Sequence, residues 1–251
     1  ALTPIDDLGA YADRLNDFVY RSGLFMRPII AAAKAAPKRI VFAEGEDERV
    51  LRAVQQVVDE KLARPILVGR PSVLEKRIER FGLRIRQGEH CDVVTPEYDA
   101  GSRADGTESH RLTERRGVSV SYAKIEMRRR HTLIGAMMIH KGEAEGMICG
   151  TFGTHGLHLK YVDQVLGHQP GVGGYYAMNI LMLRRRTVFL CDTYVNADPT
   201  PEQIAEMTQL AAEEVRRFGV VPKVALLSHS SFGSSDAPSA VKMREALALI
   251  R

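Results

Sequence analysis

Apolar and polar positions along the chain fall into short β-like runs separated by helical periods, an alternation that predicts an α/β protein. An apolar run over residues 38–43 stops at Glu44-Gly45-Glu46, a helical period opens at once, and a second apolar run returns at residues 65–68. Together they form one βαβ unit, which predicts parallel strands. Ligands of parallel α/β sheets sit beyond the C-terminal strand ends, so the Glu-Gly-Glu turn lies where a site is possible. Its plainer role is a charged turn capping the helix, since acidic residues suit a helix N-terminus.

The same reading extends in both directions. Leu8, Tyr11, Leu15, Phe18 and Val19 recur at helical spacing within residues 5–20, which predicts an amphipathic helix before the first strand. Standing ahead of a complete βαβ unit, residues 1–37 read as a connector from an upstream domain, with Met26-Arg27-Pro28 as a break and residues 29–36 as a short Ala-rich helix. After Gly69, Ser72 is placed to cap a helix through Phe81, residues 83–85 alternate like a short strand, and residues 91–94 form another. Residues 97–109 have no apolar period and read as a mobile loop. Helices follow over 111–116 and 119–129, and residues 132–140 form an apolar helix or buried segment.

Two strand-to-loop transitions carry candidate chemistry. The core strand at residues 146–150 opens into Gly150, Thr151, Phe152, Gly153 and Thr154 before a helix that runs through Leu166. Small and hydroxyl residues directly after a strand let backbone N–H groups and hydroxyls approach a phosphate. A strand at 188–190 is followed by the loop 192–200, and Thr200 caps a helix with the apolar face Ile204, Met207, Leu210, Ala211 and Val215. A strand at 223–227 then leads into Ser228, His229, Ser230, Ser231, Phe232, Gly233 and Ser234. Two small, hydroxyl-rich loops at strand ends make Gly150, Thr151, Gly153, Thr154, Ser228, Ser230, Gly233 and Ser234 the candidate anion-binding residues. The histidines 155, 158 and 229 lie close by and read as hydrogen-bonded loop residues or as phosphate contacts. The sequence stops at Arg251 inside the helix after the second loop and reads as incomplete there.

Composition narrows the function classes. With 251 residues, 45% hydrophobic and 26% charged, the chain suits one large domain or two smaller ones. No run approaches the roughly 18 apolar residues of a membrane span, and the N-terminus lacks a signal-peptide layout, so a cytoplasmic protein without membrane attachment is expected. Cys91, Cys149 and Cys191 are far apart without paired metal-ligand spacing and read as reduced thiols, with no metal site. The net charge of +4, with Arg128-Arg129-Arg130 and Arg184-Arg185-Arg186 as short triplets, supports no nucleic-acid face but suits a multiply anionic small molecule.

Several of these segments resemble the phosphate acetyltransferase family. They are Val41-Phe42-Ala43-Glu44-Gly45-Glu46 with Arg49-Val50-Leu51, the Pro65 to Gly69 return, the 146–154 strand-loop, the Asp192 loop with Pro199, and residues 227–234. Over nearly the whole chain, Phe18-Val19-Tyr20, residues 24–28, residues 147–151, Asp192-Thr193-Tyr194-Val195-Asn196 and residues 225–230 are similar to the C-terminal, phosphotransacetylase-like part of the bacterial multidomain NADP-dependent malic enzymes. The resemblance implies a two-lobed α/β/α sandwich with largely parallel sheets, also found in the isocitrate dehydrogenases, holding a CoA ester between lobes at about 38–170 and 171–251. It implies acetyl-CoA as an effector, upstream malic domains that hold NADP and a divalent metal, and a homo-oligomer. Active transferases deprotonate the CoA thiol with an aspartate and steady the developing charge with arginines and a serine. Here Lys160 aligns where one arginine is expected, the arginine expected in the helix before Arg115-Arg116-Gly117 aligns near Thr113, and the segment with the family's Ser-Arg pair and aspartate is not in the sequence. A lysine does not reproduce a bidentate guanidinium fork. A regulatory acetyl-CoA-binding domain without catalytic residues is therefore expected, with an active phosphate acetyltransferase and a structural oligomerisation domain as the alternatives.

Overall fold

The computed structural model describes residues 7–9, 11, 26–96, 100–183 and 186–250, with the backbone alone for 100–105 and 186. Helix α1 covers 26–35, so Met26-Arg27-Pro28 belongs to it and marks no break. Most of the helix expected over 5–20 lies outside the described residues; Leu8, Gly9 and Tyr11 within it are helical. The chain divides into two compact units, residues 30–167 and residues 168–251 with those before Ile30.

In the first unit, β1 (Lys38–Phe42), α2 (Glu48–Asp59) and β2 (Ala63–Val68) form the expected βαβ turn, and α3 (Pro71–Arg80) carries the chain on to β3 (Asp92–Val94). The sheet order is β3-β2-β1-β4, with β4 at Gly146–Ile148, and all its pairings are parallel. Alternation along the strands splits the core between two faces. Phe42 and Leu67 join Leu51, Val54, Leu74 and Ile78 from α2 and α3 on one face. Val41, Ile66 and Val68 meet Met127, Leu133, Met137 and Tyr161 on the other. Those residues come from α5 (Val120–Arg129), α6 (His131–His140) and α7 (His155–Val165). Each fully buried Leu or Val contributes about 1.5–3 kcal/mol relative to exposure.

Helix α6 is buried through Thr132–Met138 and shows no polar face, which is why its sequence read equally as a buried segment. Gly135 lets it lie close to the sheet: a Cβ there would come 2.4 Å from the Met147 sulfur and 3.2 Å from Val41.

Four expectations in the first unit need correction. The segment read as a mobile loop is largely α4 (Ala100–Thr113), while residues 97–99 lie outside the described residues. Its helical contacts use small residues: Gly106 is buried against Lys124 of α5, Ser109 is buried, and Thr113 donates its hydroxyl to the Ser109 carbonyl at 2.7 Å. A face made of Gly, Ser and Thr carries no apolar period. The helix placed at 111–116 is the end of α4 plus a 3-10 turn, Glu114–Arg116, closed by Gly117. Ser72 does not cap α3; Arg70 holds that position, with Pro71 opening the helix. Residues 83–85 join no ladder, because the alternation reflects a loop that buries Ile85 in the core.

In the second unit, β5 (Met178–Leu183) and β6 (Arg186–Cys191) form an antiparallel pair in register from Met178↔Cys191 to Leu183↔Arg186. Only two residues separate the strands, too few for a parallel crossover. This hairpin is the departure from an otherwise parallel α/β fold. β6 contains the expected strand, whereas β5 was not anticipated. The strand expected at 223–227 is also absent from the described ladders; Val224 and Leu227 are exposed while Leu226 packs inward. Helix α8 (Pro201–Arg217) starts at the predicted cap Thr200, which the structure completes as a capping box with Gln203, and its Ile204 and Met207 pack with Ala246 and Met243 of α9 (Pro238–Ile250). Among the described residues no helix is long and apolar enough to cross a membrane.

Candidate ligand site

The C-terminal end of the four-stranded sheet gathers two of the turns singled out from sequence. Beyond β1, Ala43 donates its N–H to Ile148 O at 3.0 Å, and the buried Glu44 accepts the N–H of Gly150 at 3.0 Å. The Glu-Gly-Glu turn thus lies against the 150–154 loop and holds its first residue. Its cap function is also real but falls to Asp47, whose carboxylate accepts the Arg49 N–H at 2.8 Å. Glu46 instead grips Arg70 through the backbone N–H and both guanidinium arms at 2.9 Å. That pairing holds the Glu46 carboxyl below its ordinary range.

Gly150 and Gly153 adopt φ of 107° and 89°, a region that favours glycine, so the loop's small residues answer a backbone need as well as offering access. Phe152, between them, points outward beneath the Arg49 guanidinium, 5.8 Å from the ring centre. Thr154 occupies the N-cap of α7 without a side-chain cap bond, leaving its hydroxyl exposed beside the positive end of the helix. Lys160 is exposed on the second turn of α7.

His158 does not project freely. Its Nδ1 lies 2.7 Å from the Thr132 hydroxyl and its Nε2 lies 2.5 Å from the Phe152 carbonyl oxygen. Behind them, burial raises the pKa of the Cys149 thiol, the Glu44 charge adds to this, and a hydrogen bond with Thr132 opposes it. That thiol is a poor nucleophile at neutral pH. Deeper still, the buried Tyr161 hydroxyl donates to Glu126, which also pairs with Arg130 at 3.4 Å. One arginine of the first basic triplet is therefore tied into the core, while Arg184 and Arg185 of the second lie outside the described residues.

In the second unit, the 228–235 loop makes a network of its own. Ser228 and Ser230 hydroxyls lie 3.1 Å apart, and the two ring nitrogens of His229 meet Ser239 and Ser235 at 3.1 and 3.2 Å. Arg244 donates to the carbonyls of Gly233 and Ser235 at 2.7 and 2.6 Å and to Asp236 at 3.0 Å, so α9 secures the glycine turn. Ser234 closes the turn through its N–H to Ser231 O at 3.2 Å. The Asp192 loop is organised by one carboxylate. It accepts N–H groups from Ala177, Tyr194, Val195 and Asn196 and the Asn196 side-chain amide. Burial pushes the Asp192 pKa up, but these hydrogen bonds outweigh it and leave the carboxyl below its ordinary value.

Gly150, Thr151, Gly153, Thr154 and Lys160 thus belong to one loop-and-helix of the first unit, and Ser228, Ser230, Gly233 and Ser234 to one loop of the second. Sequence reasoning missed Glu44, Arg49 and Thr132 as the residues that hold the first loop. Only Glu44 carried a signal, through its place at the end of β1.

The sequence matches the phosphate acetyl/butaryl transferase family over residues 24–251. It is 49% identical, over the whole chain, to an NADP-dependent malic enzyme of Salmonella typhimurium, of which it spans 33%. It is 32% identical to a phosphate acetyltransferase of Nitratidesulfovibrio vulgaris, over 89% of this chain and 31% of that protein. The fold matches a phosphotransacetylase from Streptococcus pyogenes with a TM-score of 0.79 at 25% identity, covering 90% of this chain and 69% of that one. The chain spans about a third of the length of the malic enzyme relatives it matches. It belongs to the phosphate acetyl/butaryl transferase family, as a phosphotransacetylase-like domain of the kind found in NADP-dependent malic enzymes.

Proposed function

We propose that this domain binds acetyl-CoA or a related acyl-CoA and regulates an NADP-dependent malic enzyme of which it forms part, without transferring the acetyl group. The parent reaction, oxidative decarboxylation of malate to pyruvate with NADP and a divalent metal, belongs in this reading to upstream domains. Identity of 49% across the whole chain to a malic enzyme, against 32% to a phosphate acetyltransferase, supports that placement. The observation that carries the loss of transfer is Thr113. Near the place where the resemblance expects an arginine, the buried Thr113 hydroxyl is spent on the Ser109 carbonyl, so Thr113 itself offers no charge to a phosphoryl group.

Gly150, Thr151, Gly153, Thr154 and Lys160 are the proposed contacts in the first unit, and Ser228, Ser230, Gly233 and Ser234 those in the second. Regulation further requires that the effector bind two states of the parent unequally. The reading also includes a cytoplasmic homo-oligomer, supported by exposed Leu181, Met182 and Leu183 on the β5–β6 hairpin and tested by sedimentation equilibrium.

Calorimetric titration of acetyl-CoA, with free CoA as comparison, tests binding; acetyl exchange between acetyl phosphate and CoA tests catalysis. Saturable binding that favours the acetylated form, with no exchange, is the expected result. Sustained exchange would establish a working acetyltransferase instead, and no heat with either ligand would leave a scaffold.

A further inference from the structure

The 150–154 loop is held from three directions, and one hold has a chemistry that can be read in full. A carbonyl oxygen only accepts, so the 2.5 Å contact between Phe152 O and His158 requires the proton on Nε2. In the neutral ring Nδ1 is then an acceptor, and the Thr132 hydroxyl at 2.7 Å must donate its single proton to it, which leaves the Thr132 oxygen to accept from the Cys149 thiol. Thr132 is buried near the start of α6, the helix packed on the sheet, so its hydroxyl position is set by the core. The ring in turn fills the space a side chain at Gly153 would need: a Cβ there would come 3.2 Å from Nε2. Both ring nitrogens being engaged, His158 offers neither a general base nor a direct contact to a ligand.

We infer that His158 is a positioning residue, a Thr132-oriented clamp that fixes the 150–154 loop from the core side so that its outer surface meets the ligand already ordered. This rests on the reading that the loop takes an acyl-CoA. Fixing the loop beforehand removes an ordering cost from binding. The hold is complemented by Glu44 on the Gly150 N–H and by Arg49 over Phe152, while the imidazole restrains the middle of the loop through the backbone.

The test uses His158→Ala, His158→Gln and Thr132→Val in the 251-residue chain. Amide hydrogen exchange is read over residues 150–157 and along β1 and β4, beside acetyl-CoA titration. In His158→Ala, exchange at the 152–154 amides should rise by roughly tenfold or more while β1 and β4 stay protected, and acetyl-CoA should bind roughly tenfold more weakly. Glutamine, whose terminal N–H can reach the Phe152 carbonyl, should recover part of both. Imidazole nitrogen shifts should show the Nε2–H form in the native chain and a mixture in Thr132→Val, a near-isosteric change that keeps the test open if His158→Ala does not fold. Unchanged loop exchange in His158→Ala, or an Nδ1–H ring in the native chain, would overturn the inference. If the native chain binds no acetyl-CoA while the exchange and tautomer results hold, the clamp stands and the ligand reading falls.

Discussion

Replacing Gly153 with alanine asks two things of its loop at once: a Cβ at a φ of 89°, and room beside the His158 ring. The first costs about 1 kcal/mol and the second adds to it, so Gly153→Ala should lose about 1–2 kcal/mol in urea denaturation. Gly142→Ala is the internal control, since Gly142 has a φ of 72° but nothing within 4 Å of its added Cβ. It should lose only the backbone share, and equal losses would show that the ring yields freely. Single residues also mark where the sequence stopped being legible. A glycine and hydroxyl cluster after a strand announced the loop, because such composition follows from local backbone needs. Nothing local announces that His158, one helical turn on, reaches back to the Phe152 carbonyl, for Thr132 lies 26 positions away. Lys160 and Thr113 stood out only against a family pattern, and burial then showed Thr113 to be committed to its own helix.

Elements whose ends are set by adjacent residues were read well, and α8 is the clearest. Its reciprocal bonds, Gln203 N–H to the Thr200 hydroxyl at 3.3 Å and Thr200 N–H to the Gln203 side chain at 2.9 Å, follow from the spacing of the two residues. Thr200→Ala should lower stability by about 1 kcal/mol, measured by thermal or urea unfolding, whereas Thr200→Ser should be nearly neutral. Helix α4 was missed for the opposite reason, since small residues at a close helix contact look like a flexible linker to any rule based on apolar period. A second element-scale test concerns the start of β1. Arg39 donates from its backbone N–H at 2.7 Å and from its guanidinium at 2.8 Å to Glu145, just ahead of β4. The Arg39 side-chain hydrogen bond is the main cause that holds the Glu145 carboxyl at about 2, against an ordinary 4.5. A lowered carboxylate pKa stabilises the fold fully above the ordinary value and loses that contribution as pH falls toward about 2. The stability gap between the native chain and Glu145→Gln should therefore be widest near neutrality and close between pH 4.5 and 2. A gap independent of acid would show the pair to be silent.

Taken as a whole, the described core is divided unevenly. The first unit carries two extended apolar clusters, one on each face of its sheet, while the second centres on Ile204, Met207 and Ala246 with a few half-buried neighbours. Hydrogen exchange across a denaturant series should find α8, α9 and the β5–β6 pair losing protection at lower denaturant than β1, β2 and α6. Simultaneous loss would mean that the chain unfolds as one cooperative block. This division was only partly visible in sequence, because the pattern after residue 168 reads as a second strand-helix-strand unit, whereas its last strand joins no described ladder and β5, an apolar run interrupted by Asn179, pairs with β6 instead. The order β3-β2-β1-β4 has a consequence of another kind. Its two outermost strands are only three residues long. Each rim thus offers a foreign strand little unpaired backbone to copy, which protects the long inner strands from runaway stacking between chains while leaving their ends open to small molecules.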